Sequence, residues 1–94
     1  MDPIHLAAQG DFPNLLAYFY ELNLSLSNPD TKGGTPLHWA AYLGSYYTTA
    51  LLCALNVNLN VQDSEGETPL HLATISGNSR VGRIMLLKGA DKSI

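Results

Sequence analysis

Thr-Pro-Leu-His-Trp-Ala-Ala at residues 35–41 recurs 33 residues later as Thr-Pro-Leu-His-Leu-Ala-Thr at residues 68–74. A shorter copy, Ile-His-Leu-Ala-Ala, stands at residues 4–8, so that histidines fall at 5, 38 and 71. A fixed period of this length is typical of a solenoid, in which each unit buries its apolar side against its neighbours. We therefore predict a short stack of similar units, with the function on the surface of the stack.

The middle copy predicts a turn, a helix, a short connection, a second helix and a loop. Residues 30–34 have turn composition. Thr35 can accept a hydrogen bond from a free amide of the first helical turn, and Pro36 at the first helical position sacrifices no hydrogen bond. Gly44 is expected to end this helix, as Gly77 does in the last copy. Three apolar residues at helical spacing are expected to face inward: Leu37, Ala40 and Ala41.

The second helices are expected at about residues 14–22, at about 46–55, and in the segment that contains Val81 and Leu87 and leads to Lys88. Their apolar residues are predicted to form the core, namely Ala50, Leu51, Leu52 and Leu55 in the middle copy and Val81, Ile84, Leu86 and Leu87 in the last. Gly82 lies inside the last of these helices, where glycine costs about 1 kcal/mol relative to alanine. It is therefore expected to mark either a tight contact or a weak position.

Composition limits the chain to one small domain, residues 1–94, with 46% hydrophobic and only 14% charged residues. A net charge of −3 with five Lys and Arg argues against nucleic-acid binding, which needs a concentrated basic patch. Cys53, the one cysteine, excludes an intramolecular disulfide and is expected to be a buried, unreactive thiol. No membrane-length apolar run and no signal peptide are evident, so a cytosolic location is expected.

The repeated segments resemble those of a known family. The pattern Asp-x-x-Gly-x-Thr-Pro-Leu-His-x-Ala, a glycine six residues after the histidine and a closing Gly-Ala-Asp resemble the ankyrin repeat over essentially the whole chain. The resemblance implies an all-α solenoid of about three L-shaped helix-turn-helix units, whose turns project as fingers beside a concave face that binds other proteins. The repeats are expected at about residues 1–29, 30–62 and 63–94.

The first copy and the end of the chain depart from this pattern. The first copy lacks Thr-Pro, although Asp2 and Pro3 are suited to the same roles, and Gly10 follows His5 by five residues instead of six. The sequence ends after a complete helix pair without a capping helix. We therefore expect a segment of a longer array, with apolar stack ends that favour self-association.

The three histidines do not predict a metal site. Equivalent positions on stacked helices are about 8–10 Å apart, whereas zinc ligands lie about 2 Å from one metal. The ankyrin resemblance instead implies that His38 and His71 tie the turns of adjacent units together, and His5 is expected to be a structural histidine with its hydrogen bonds satisfied. The available nucleophiles, Ser45, Ser64, Ser76, Ser79 and Cys53, have no histidine and carboxylate at suggestive spacing. We expect no catalysis, no cofactor and no metal.

Candidate partner-binding residues follow from the repeat geometry. The positions one, four and five residues after each histidine are expected to line the concave side: Leu6, Gln9, Trp39, Tyr42, Leu43, Leu72, Ile75 and Ser76. Trp and Tyr are frequent interface anchors, but Trp39 and Tyr42 can equally pack between repeats, and the sequence leaves both interpretations open. The exposed finger tips add Thr31, Lys32, Ser64 and Glu65.

The primary hypothesis is a protein-interaction module that binds a protein or extended peptide on the concave face and fingers. The segments at residues 35–42, 76–81 and 86–91 are also similar to the ankyrin arrays that precede the membrane domain of Asp-His-His-Cys palmitoyltransferases. Those enzymes carry a catalytic cysteine in a motif absent from this sequence, so this chain would recruit substrate without performing the transfer. A purely structural spacer is the third hypothesis.

Overall fold

The computed structural model describes residues 3–91, which form six helices and contain no strand. The first helices of the three units pack side by side in one row, and the second helices form another row against them. This arrangement confirms the predicted all-α stack. The helices are α1 (Pro3–Gln9), α2 (Pro13–Glu21), α3 (Pro36–Leu43), α4 (Tyr46–Ala54), α5 (Pro69–Ile75) and α6 (Ser79–Leu87). The expected cap by Asp2 lies outside the described residues.

The first helices of the second and third units start as predicted. Thr35 Oγ1 accepts a hydrogen bond from the His38 amide at 3.3 Å, and the Thr35 amide donates to His38 Nδ1 at 3.1 Å. Thr68 and His71 form the same reciprocal pair. Each pair is a capping box in which histidine replaces the usual Glu or Gln. The Thr-Pro-Leu-His sequence therefore supplies both halves of the N-terminal cap of its own helix.

Left-handed backbone conformations keep the 33-residue period even where the amino acid changes. One series follows the first helices, with φ of 57°, 75° and 77° at Asp11, Gly44 and Gly77. Another follows the second helices, with φ of 63°, 60° and 102° at Asn23, Asn56 and Gly89. Glycine, asparagine and aspartate reach this region at the lowest cost. The early glycine of the first copy therefore does not shift the helix end, because the next residue takes over the turn.

The expected inward side of α3 is confirmed, whereas that of α4 is partly wrong. Leu37, Ala40 and Ala41 are buried. In α4, Leu52 is buried, and the half-buried Leu51 and Leu55 pack against the core, whereas Ala50 is half-buried without being part of it. The buried positions are instead Thr48, Thr49 and Cys53. An almost uniformly apolar run has no periodicity that identifies one face, so packing against the neighbouring helices determines which side is buried.

Two buried threonines lie at the start of α4, and within the described part of the chain the hydroxyl of Thr48 has no hydrogen-bond partner. Thr49 Oγ1 donates to the Ser45 carbonyl at 2.9 Å. The Thr48 amide donates to Asp11 Oδ1 at 2.8 Å, so a side chain of the first unit caps the second helix of the next. Cys53 is buried as predicted, and burial raises the pKa of its thiol while Lys88 acts in the opposite direction.

The inward side of α6 also differs from the prediction. Val81 is buried and Ile84 is half-buried, but Leu86 and Leu87 are 47% and 79% exposed. Met85, which the sequence analysis did not select, is completely buried. No helix within residues 3–91 has the length and apolar character that a membrane crossing requires.

Gly82 in α6 does not mark a tight contact. A methyl group built at this position would lie 3.7 Å from Leu70 Cδ1 and 4.0 Å from Ala73 Cβ, which are ordinary van der Waals distances. Of the two expectations for Gly82, a weak helical position is the one that the structure supports.

Candidate functional site

The turns at residues 30–34 and 63–67 are built alike and joined to each other. Asp30 Oδ1 accepts the amides of Lys32 and Gly34, each at 2.9 Å. The equivalent Asp63 Oδ1 accepts the two corresponding amides at the same distance. The Ser64 amide then donates to the Lys32 carbonyl at 2.8 Å. The two turns are therefore internally fixed and held side by side.

The histidines connect each first helix to the turn of the following unit. His5 Nε2 donates to the Gly34 carbonyl at 3.0 Å, and His38 Nε2 donates to the Glu67 carbonyl at 2.8 Å. His38 can donate there because its Nδ1 accepts the Thr35 amide. These contacts confirm the structural role predicted for His5 and His38. The same role is not found for His71 in the described part of the chain: it makes the helix cap, but its side chain is 30% exposed and lies 3.6 Å from the Glu67 carboxylate of its own turn.

A cleft of about 210 Å³ lies between the two turns and the exposed sides of α3 and α5. It brings together six of the residues selected from the sequence: Lys32, Trp39, Tyr42, Ser64, Glu65 and Leu72. The remaining selected residues do not line this cleft; among them, Leu43 and Ile75 are 49% and 67% exposed. The cleft is also lined by the turn residues Asp30 and Asp63, which were not among the predicted binding residues.

Trp39 is half-buried and held in place by a turn residue. Its indole Nε1 donates to Asp30 Oδ2 at 2.9 Å. Burial alone would raise the pKa of the Asp30 carboxyl, but hydrogen bonds from the Gly34 amide, the Trp39 indole and the Lys32 amide together hold that pKa below its ordinary value. Asp30 is therefore a fixed negative charge beside an oriented aromatic ring. No local sequence rule links an aspartate to a tryptophan nine residues later, so this pair was missed.

Tyr42 contributes its backbone to the stack and leaves its ring accessible. Its carbonyl accepts Asn78 Nδ2 at 3.0 Å, while the residue is 47% exposed. Leu6, at the position equivalent to Trp39 in the first unit, is 54% exposed. Within the described part of the chain, no group of three or more His, Cys, Asp or Glu is placed to hold a metal ion. The cleft therefore offers contact chemistry: aromatic and apolar surface edged by carboxylates.

Comparison with known proteins agrees with this architecture. The family model for ankyrin repeats (3 copies) matches residues 4–94. A search of the curated proteins gives no match. Ankyrin repeats are generally protein-interaction modules, and domains built from them are generally not catalytic. The repeated Thr-Pro-Leu-His caps, the histidine contacts between units and this match lead to one assignment: the chain belongs to the ankyrin repeat family.

Proposed function

We propose that this chain binds a protein segment or extended peptide on its finger face, defined as the exposed side of α1, α3 and α5 together with the turns at 30–34 and 63–67. The observation that carries the proposal is a row of exposed apolar side chains on helices whose opposite sides are buried. Leu6, Tyr42, Leu43 and Ile75 are 54%, 47%, 49% and 67% exposed. Clustered apolar surface of this kind is typical of interaction sites.

The cleft gives this surface a centre. Trp39 and Tyr42 supply aromatic area of the kind found at interface hot spots. The hydrogen bond from Trp39 to Asp30 orients the indole before any partner arrives, which lowers the ordering cost of association. Lys32 and Glu65 form a polar edge, as is usual at the rim of a protein interface.

A matched pair of tyrosine variants tests the proposal. Peptides are selected from a random display library for binding to the folded chain, and their affinities are measured for Tyr42→Ala and Tyr47→Ala. Tyr47 is 64% exposed at the start of α4 and does not line the cleft. We expect Tyr42→Ala to weaken binding by about tenfold or more and Tyr47→Ala to have little effect. If the selected peptides depend equally on both residues, or on neither, the proposal fails.

Self-association through the stack ends is a related proposal. Exposed apolar side chains occur on α2 (Leu15, 42%; Tyr18, 55%) and on α6 (Leu86, 47%; Leu87, 79%). Contacts between such surfaces of two copies would join unlike patches, and this geometry favours open chains over closed dimers. Sedimentation velocity over a concentration series is expected to show growing assemblies that Leu87→Glu reduces. A monomer at all concentrations would refute this proposal.

A narrower functional proposal is that the array recruits substrate for an Asp-His-His-Cys palmitoyltransferase on the cytosolic side of a membrane. It is supported by the sequence similarity at residues 35–42, 76–81 and 86–91. The parent reading frame tests it: the proposal requires hydrophobic spans and a cysteine-rich segment downstream of residue 94. A parent without them would eliminate this alternative and leave the interaction module unaffected.

A further inference from the structure

We propose that the cleft selects an arginine side chain of the bound peptide, an inference that rests on the proposed function. The starting point is a difference between two equivalent aspartates. Asp30 uses Oδ1 for two turn amides and Oδ2 for the Trp39 indole. Asp63 uses Oδ1 in the same way, but the residue equivalent to Trp39 is Leu72, which has no N–H to donate.

Asp63 Oδ2 is consequently an acceptor without a protein donor in the described part of the chain. It belongs to a residue that lines the cleft and is half-buried. A carboxylate oxygen in such a position is stabilised by a charged donor more strongly than by a neutral one. In the second unit Asp30 Oδ2 has an internal donor, whereas in the third unit Asp63 Oδ2 can accept a hydrogen bond from a ligand.

The charges around the cleft favour a cationic ligand. Three carboxylates line it, those of Asp30, Asp63 and Glu65, against the single ammonium of Lys32. No carboxylate within residues 3–91 lies in salt-bridge distance of Lys32. Glu65 is exposed, and its side chain makes no hydrogen bond in the described structure. The cleft therefore retains an excess of negative charge that an incoming cation neutralises.

The aromatic residues specify which cation fits best. Trp39 and Tyr42 line the same cleft as the carboxylates. A guanidinium group can stack on an aromatic ring while its planar fork donates to one or two carboxylates, and a lysine ammonium lacks both the plane and the fork. An arginine that contacts Tyr42 or Trp39 and donates to Asp63 Oδ2 satisfies all three features at once.

The test uses peptides selected from a random display library whose binding depends on Tyr42. Arginine in each peptide is replaced by citrulline, which keeps the shape and removes the charge, and by lysine. Asp63→Asn retains an Oδ1 acceptor for the two turn amides, so the turn is preserved. Glu65→Gln is a second variant at a side chain with no structural bond. Glu21→Gln, at the exposed end of α2, is the matched control for charge.

We expect arginine to be enriched in the selected peptides. Citrulline replacement and Asp63→Asn are expected to weaken binding about tenfold each, with a smaller loss for Glu65→Gln and less than twofold for Glu21→Gln. Peptides that require Tyr42 but contain no arginine, or that tolerate citrulline, lysine or Asp63→Asn without loss, overturn the arginine inference and leave the proposed function standing. A library that yields no Tyr42-dependent peptide refutes both.

Discussion

The second and third units share seven of 14 residues across their turns and first helices, at 30–43 and 63–76, yet they present different surfaces to the cleft. Both have an aspartate that accepts two turn amides and a threonine-histidine cap. They differ at Trp39 and the equivalent Leu72. As a result, Asp30 Oδ2 accepts a hydrogen bond from the Trp39 indole, whereas Leu72 has no donor for Asp63 Oδ2. Residues whose side chains bond to the backbone are thus the same in both units, whereas the helix residues that line the cleft differ. Substitutions at equivalent positions of the two units test this division.

The largest difference in stability is expected between alanine variants of the equivalent histidines His38 and His71. His38 is buried and joins its helix cap to the next turn, so His38→Ala leaves buried backbone groups unpaired and is expected to lower the free energy of unfolding by about 3 kcal/mol. His71 makes only the cap, and His71→Ala is expected to cost about 1 kcal/mol. Urea denaturation measures both. Equal losses would contradict the role of His38 between units.

The two glycines that follow the first helices are expected to differ less. Both have positive φ, so alanine at either position is strained by about 1 kcal/mol. At Gly44 the added methyl would also lie 2.8 Å from Asn78 Oδ1, whereas nothing lies within 4 Å at Gly77. We expect Gly44→Ala to cost about 2 kcal/mol in total and Gly77→Ala about half as much. Thermal unfolding of the two variants that shows the reverse order would be inconsistent with this packing.

A stabilising change is expected in the third unit. Gly82 occupies the position that Thr49 fills in the second unit, and a methyl group fits there at ordinary contact distances. Gly82→Ala is therefore expected to raise the free energy of unfolding by about 0.5–1 kcal/mol through helix propensity. A decrease, measured by urea denaturation beside the wild type, would mean that Gly82 meets a constraint absent from this structure.

The smallest expected effect concerns the charge of Asp30. Because its pKa is depressed in the folded state, Asp30 stabilises the fold above its ordinary pKa of about 3.8, and this contribution is lost as the pH falls through the folded value. Trp39→Phe removes the indole donor and is expected to raise the Asp30 pKa towards its ordinary value. Carbon-13 NMR titration of the carboxyl measures the shift. An unchanged pKa would show that the indole hydrogen bond does not stabilise the carboxylate.

The sequence was sufficient for features that depend on local backbone chemistry. The helix starts at Thr35 and Thr68 and the helix end at Gly44 followed from propensity, capping and turn rules. It was insufficient to predict which side of an apolar helix is buried, as with the buried Met85 beside the exposed Leu86. It also missed Asp30 as a partner of Trp39, because that contact depends on how a turn folds back over a helix. Six selected residues do meet at one cleft, but only the structure shows that the turn aspartates Asp30 and Asp63 line it with them.

We infer that the cleft residues bind the partner, whereas the residues shared by the two units stabilise the fold. The double variant Trp39→Leu with Tyr42→Ile gives the second unit the residues that the third unit has at these places. We expect cooperative urea unfolding with a loss of about 2 kcal/mol or less, together with at least about tenfold weaker binding of Tyr42-dependent peptides. Affinity of the double variant for those peptides is the decisive measurement: unchanged affinity in a folded variant would contradict the claim.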